Sequence, residues 1–133
     1  MMVDASAMLA VLNGEAEGPN LAAVIEAAKT PFTSPLAIFE ACAALMRENQ
    51  LAAGEADAAV REFLDVASIR VVPISDAMAS AAVEAFGRFG KGRHPARLNL
   101  GDCFAYACAM AHRAPLLYKD DDFARTDVND EFS

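Results

Sequence analysis

Asn99-Leu100-Gly101-Asp102-Cys103 opens an apolar run, Leu100 to Ala111, whose only ionisable carboxylate is Asp102. A run of that character reads as a largely buried helix, because packing rather than water must satisfy it. An ionised carboxylate inside a core is costly unless it is paired, hydrogen-bonded or bound to a metal. Asp102 therefore requires a partner. Two other stretches pose the same requirement. Met1 to Val11 is apolar except for Asp4 and the small Ser6, and Leu36 to Met46 is apolar except for Glu40. Isolated carboxylates in apolar segments far apart in the chain point to one shared site assembled by the fold. The natural guest for such a site is a hard divalent cation, Mg²⁺ or Mn²⁺.

Composition sets the frame. A chain of 133 residues is expected to be one domain, 1–133, with a proper core and a loose tail over 129–133. The apolar fraction is 55%, much of it Ala, which suits closely packed helices. No apolar run reaches the length of a membrane span. The N-terminal stretch lacks the basic start of a signal peptide, so a cytoplasmic location is expected. Cys42, Cys103 and Cys108 sit inside apolar stretches and read as buried free thiols rather than disulfides or a zinc site. The net charge of −8 argues against a general electrostatic grip on nucleic acid. It does not exclude a nuclease, since acids at a metal site enter the sum and bound cations reverse the local field. The cations are unevenly spread: Arg88, Lys91, Arg93 and Arg97 cluster around His94, with no acid between Phe86 and Gly101.

Along the chain, strand and helix signals alternate. Met1–Asp4 reads as a short buried strand followed by a helix to about Asn13. Asp4 then stands at a strand's carboxyl end, where open parallel sheets bind ligands. The same position suits the N-cap of the helix. Leu21, Val24, Ile25 and Ala28 repeat at helical spacing, and Thr30-Pro31 ends that helix. Phe32-Thr33 is a stub of strand, and Ser34-Pro35 is a strong helix start. Glu40 lies more than a turn inside this helix, so capping does not explain it. Glu55 to Val66 is amphipathic, Ile69 to Ile74 is the clearest strand, and Ser75 or Asp76 caps a helix to about Phe89. Gly87 to Pro95 is a Gly-rich basic loop that either holds RNA phosphates or is a flexible connection. Asn99-x-x-Asp102 has the form of a capping box, which a metal role would not exclude. Leu116 to Tyr118 is a buried strand, with Asp120, Asp121 and Asp122 after it and a final short strand over 126–128. Alternation with short connections predicts a parallel sheet covered on both faces.

Several segments together resemble the PIN-domain ribonucleases, and within them the VapC-like toxins of bacterial type II toxin–antitoxin pairs. These are Val3-Asp4-Ala5-Ser6, Glu40 after a Ser-Pro start, Gly90 to Ala96 with Leu98 to Cys103, and Leu116 to Asp127. The resemblance is essentially full-length. It implies a three-layer α/β/α domain with a parallel sheet of about five strands, and RNA cleavage dependent on Mg²⁺ or Mn²⁺. The family acids map onto Asp4, Glu40 and Asp102. The fourth is Asp122, with Asp120 as a helper. The resemblance further implies a homodimer held inactive by a VapB-like antitoxin that crosses the active site and inserts a basic residue.

On that reading Asp4, Asp102 and Asp122 hold one or two metal ions, with Glu40 as ligand or base. Ser6 orients Asp4 from behind, and Lys91 and Arg93 position the RNA backbone. The rival class is a non-catalytic PIN-like binding module whose acids are caps. A phosphatase with an Asp nucleophile would want Asp-x-Asp after the first strand, whereas Asp4 is followed by Ala5 and Ser6.

Overall fold

Met2 and Val3 have no solvent-accessible surface, because strand β1 (Met2–Val3) lies inside a sheet rather than at its rim. The computed structural model describes residues 1–119 and 121–132. After β1 come α1 (Ala5–Leu12), α2 (Gly18–Ala27), β2 (Phe32–Thr33), α3 (Pro35–Asn49), α4 (Ala53–Val66), β3 (Arg70–Val71), α5 (Asp76–Phe89), α6 (Leu100–Ala111) and β4 (Leu116–Leu117). Two 3-10 segments, Asp121–Arg125 and Asp130–Phe132, follow. All strand pairs are parallel, in the order β3-β2-β1-β4. The α/β fold with a parallel sheet flanked by helices is as the alternation predicts.

Connections from β1 run towards β2, whereas β4 returns to the other side of β1. The order reverses at the carboxyl ends of β1 and β4, which is where open α/β sheets form their binding crevice. Asp4 is the next residue after β1, and its N–H donates to Leu117 O at 3.0 Å. The sheet is locked from within by Thr33, fully buried, whose hydroxyl donates to Val3 O at 2.8 Å. That bond satisfies a polar group that would be costly to leave unpaired.

The sheet has four strands among the described residues, not about five. The expected last strand over 126–128 is a turn. Thr126 donates its hydroxyl to Phe123 O and accepts the Val128 N–H, which folds the segment onto itself. The outward groups of β4 are met instead by one side chain. Leu116 N–H donates to Asn129 Oδ1 at 2.8 Å, and Asn129 Nδ2 donates to Leu116 O at 2.9 Å. The stretch Ile69 to Ile74, the clearest strand in the sequence, contributes only Arg70 and Val71 to the ladder, both exposed at the sheet's edge.

The basic loop is folded rather than loose. Lys91 N–H donates to Leu98 O and Leu98 N–H to Phe89 O, while Arg93 and His94 N–H both donate to Gly90 O. Ala96 N–H donates to His94 Nδ1 at 3.0 Å, and Ala96 and Leu98 are fully buried. Cys103 and Cys108 are buried free thiols and Cys42 is half-buried. Burial pushes both Cys103 and Cys108 up to about 11, Asp102 adding to the first, so neither is a reactive thiolate near neutrality. Among the described residues no helix is long and apolar enough to cross a membrane.

Candidate active site

Asp4 is only 5% exposed and caps α1: its Oδ2 accepts the Ser6 N–H at 3.0 Å and the Ser6 hydroxyl at 2.6 Å. Ser6 Oγ in turn accepts the Lys119 N–H at 3.0 Å, which ties the end of β4 to the start of α1. The Lys119 ammonium is ion-paired with Glu15 and lies 3.8 Å from Glu17, on the loop after α1. Thus one hydroxyl joins both sides of the crevice and fixes the orientation of Asp4.

Asp102 enters from α6. Asn99 Oδ1 accepts the Asp102 N–H at 2.9 Å, and Asp102 Oδ2 accepts the Asn99 N–H at 3.1 Å, a complete capping box. The capping expected for Asp4 and Asp102 is therefore present at both. Glu40 enters from α3, a helix begun by Ser34, whose Oγ accepts the Ala37 N–H at 3.1 Å. Glu40 is half-buried and does not cap. Its carboxylate lies against the Cα of Gly101, in the first turn of α6, where a Cβ would fall inside contact distance of both carboxylate oxygens.

The electrostatics join the three acids. Burial first, then the charges of Asp4 and Asp102, push Glu40 up to about 7. Residues at positions 4, 40 and 102, from different elements, thus share one field at the reversal point of the sheet. Asp122 is half-buried in the segment Asp121–Arg125 and is not among the charges that raise Glu40. Asp120 lies outside the described residues. Lys91 and Arg93 are exposed on the folded basic loop that leads into α6, with the Arg93 guanidinium 5.6 Å from the Phe86 ring centre. Arg88 is engaged elsewhere, 3.0 Å from Asp127 Oδ2, while Tyr106 donates its hydroxyl to Asp127 Oδ1 at 2.6 Å.

Among the described residues, no three His, Cys, Asp or Glu side chains stand close enough to hold a metal ion together. The donors nonetheless fit a hard cation in kind: Asp4, Ser6, Glu40 and Asp102 offer only oxygen. Their mutual repulsion is the field such a cation would neutralise. Two contributors were not singled out in the sequence. Gly101 carried one signal, a costly glycine in an otherwise good helix; Lys119 carried none.

The Glu40 shift has a consequence for the metal-free protein. A carboxyl whose folded pKa is raised contributes stability that is fully present below its unfolded value and lost as pH rises through the folded one. Chelated protein is expected to lose stability between about pH 4.5 and pH 7, on the order of 1–2 kcal/mol after allowing for solvent screening. Denaturant midpoints across that range check this, and Glu40→Gln should flatten the slope.

Comparison with known proteins agrees with this architecture. The PIN domain family matches residues 1–129. Ribonuclease VapC42 of Mycobacterium tuberculosis is 36% identical over 129 residues, covering 96% of each chain. The crystal structure of Mycobacterium tuberculosis VapC20, described as a sarcin–ricin loop cleaving toxin, superposes with a TM-score of 0.71 at 19% identity, over 92% of both chains. A chain of a toxin–antitoxin complex from Klebsiella pneumoniae gives a TM-score of 0.65 at 19% identity, over 92% of this chain and 89% of that one. With a family match over nearly its whole length and a relative of that similarity, this chain belongs to the PIN domain family, among the VapC ribonucleases.

Proposed function

We propose that this chain is a metal-dependent endoribonuclease, the toxin of a VapBC-like pair, hydrolysing RNA phosphodiester bonds at the carboxylates around Asp4. The observation that supports the reading is that Asp4, at the carboxyl end of β1, and Asp102, at the start of α6, both act electrostatically on Glu40. Asp4, Asp102 and Asp122 would hold Mg²⁺ or Mn²⁺, with Glu40 as a further ligand or base and Asp120 as a helper. A bound divalent cation lowers the pKa of a coordinated water and neutralises charge building on the scissile phosphate.

The chain's own groups have separate tasks. Ser6 holds Asp4 in one orientation, and the Asn99 backbone does the same for Asp102. Glu40, with its proton affinity near neutrality, is suited to take a proton from the attacking water. Lys91 and Arg93 hold RNA phosphates and supply no sequence readout. A VapB-like antitoxin restrains the enzyme by covering the acids with a basic residue, and the working unit is a homodimer. A second reading, a binding module whose acids only cap, is supported by the caps at Asp4 and Asp102 themselves.

Titration of Mg²⁺ and Mn²⁺ into antitoxin-free protein, with cleavage of total cellular RNA as readout, separates the two. Discrete fragments that appear only with metal support the nuclease; folded protein that cuts nothing with either metal supports the module. Lys91→Ala combined with Arg93→Ala is expected to raise KM about tenfold, by loss of phosphate contacts, with kcat nearly unchanged. Unchanged KM in the double variant would remove the loop from RNA binding.

A further inference from the structure

We infer that Gly101 is a positioning residue, its missing side chain being the seat that holds the Glu40 carboxylate against the first turn of α6, the turn that carries Asp102. The inference rests on the ribonuclease reading and deepens it. Glycine is a poor choice at this place on local grounds. Gly101 is the second residue of α6, a helix otherwise rich in good helix formers, and it is buried. Its φ is not positive, so no turn geometry demands it. What demands it is space. A Cβ built there meets Glu40 Oε2, Cδ and Oε1 as its three nearest atoms, all well inside contact. No other neighbour comes as close, so the glycine is kept for one carboxylate.

The obstacle would be the far end of a flexible side chain, not backbone. A methyl at position 101 therefore moves Glu40 rather than breaking the fold. α3 and α6 carry the two residues, and α6 also carries Asp102 one position on. Displacing Glu40 thus separates it from the acid that shares its field, while the Asn99–Asp102 box remains intact. Lys91 and Arg93 are untouched, so substrate binding should persist.

Gly101→Ala is expected to melt within about 3 °C of wild type, keep KM, and lose about 100-fold or more in kcat. Glu40→Asp shortens the acid by one methylene and makes room. In the Gly101→Ala background it should recover at least about tenfold over Gly101→Ala alone. In a Glu40→Ala background, where nothing remains to collide, Gly101→Ala should not lower the melting temperature, and the helix-favouring alanine should if anything raise it. Full activity in Gly101→Ala, no recovery with Glu40→Asp, or a lowered melting temperature of Gly101→Ala in the Glu40→Ala background would each overturn the inference. Metal-free melting temperatures of the four variants provide a readout independent of catalysis. If wild type cut no RNA while position 101 still coupled to position 40 in stability, the nuclease reading would fall and the seat would stand.

Discussion

Asp4→Asn keeps the fold and abolishes cleavage: the expected loss is at least about 1,000-fold in kcat/KM, with stability changed by no more than about 1 kcal/mol. The asymmetry follows from the two tasks of one side chain. As an N-cap, Asp4 accepts the Ser6 N–H and hydroxyl. An asparagine carbonyl oxygen accepts the same bonds, and Asn is as good a cap as Asp. As a site residue, Asp4 supplies negative charge at 5% exposure, and the amide supplies none. Asp102→Asn should behave alike, because the Asn99 N–H can still be accepted at the start of α6. RNA cleavage and thermal melting on the same preparations check both. Activity retained in either isosteric variant would sink the site assignment, and a stability loss without an activity loss would favour acids that only cap.

Phe123→Ala should be the most destabilising single change near the site, by about 3–5 kcal/mol, the usual cost of removing a buried aromatic. Phe123 is 1% exposed, is the only buried residue of its 3-10 segment, and lies 5.2 Å from the Tyr118 ring. That segment is the next element after β4 and carries Asp122, while Arg125 donates to Pro95 O on the basic loop. Loss of the Phe123 anchor therefore loosens the acid-bearing turn and one brace of the loop together. Melting should fall by on the order of 10 °C. Asp121→Asn, an exposed neighbour, is the control and should melt like wild type.

The parts legible in the sequence are those whose physics is local. Ser34-Pro35 starts a helix wherever it stands, and Asn99-x-x-Asp102 closes its own box, so both were readable without a fold. Glu40 was legible for the opposite reason: no local rule accounted for it, which left a distant partner. The illegible parts depend on distant atoms. The stretch Gly87 to Pro95 reads as a loop from its glycines, but Gly87 to Phe89 complete α5, and the rest is ordered because Ala96 and Leu98 reach the core. Ile69 to Ile74 has strand propensity, yet propensity measures fit to a pleated surface and says nothing of how long a ladder its neighbour offers. Gly101 looks like a flaw in α6 until Glu40 arrives from α3.

The amide of Asn129 carries a consequence for how the protein survives at high concentration. A bare outer strand is a template on which other chains can pair and grow into fibrils. On one flank of this sheet the outward N–H and C=O of Leu116 are already taken by that amide. On the opposite flank Arg70 places a charge, and Pro73 follows with no N–H to donate. Recruitment by strand addition is thus closed at β4 and discouraged at β3. A protein that recognises this one must read its helices and loops, and Asn129→Ala should be the variant that starts to aggregate.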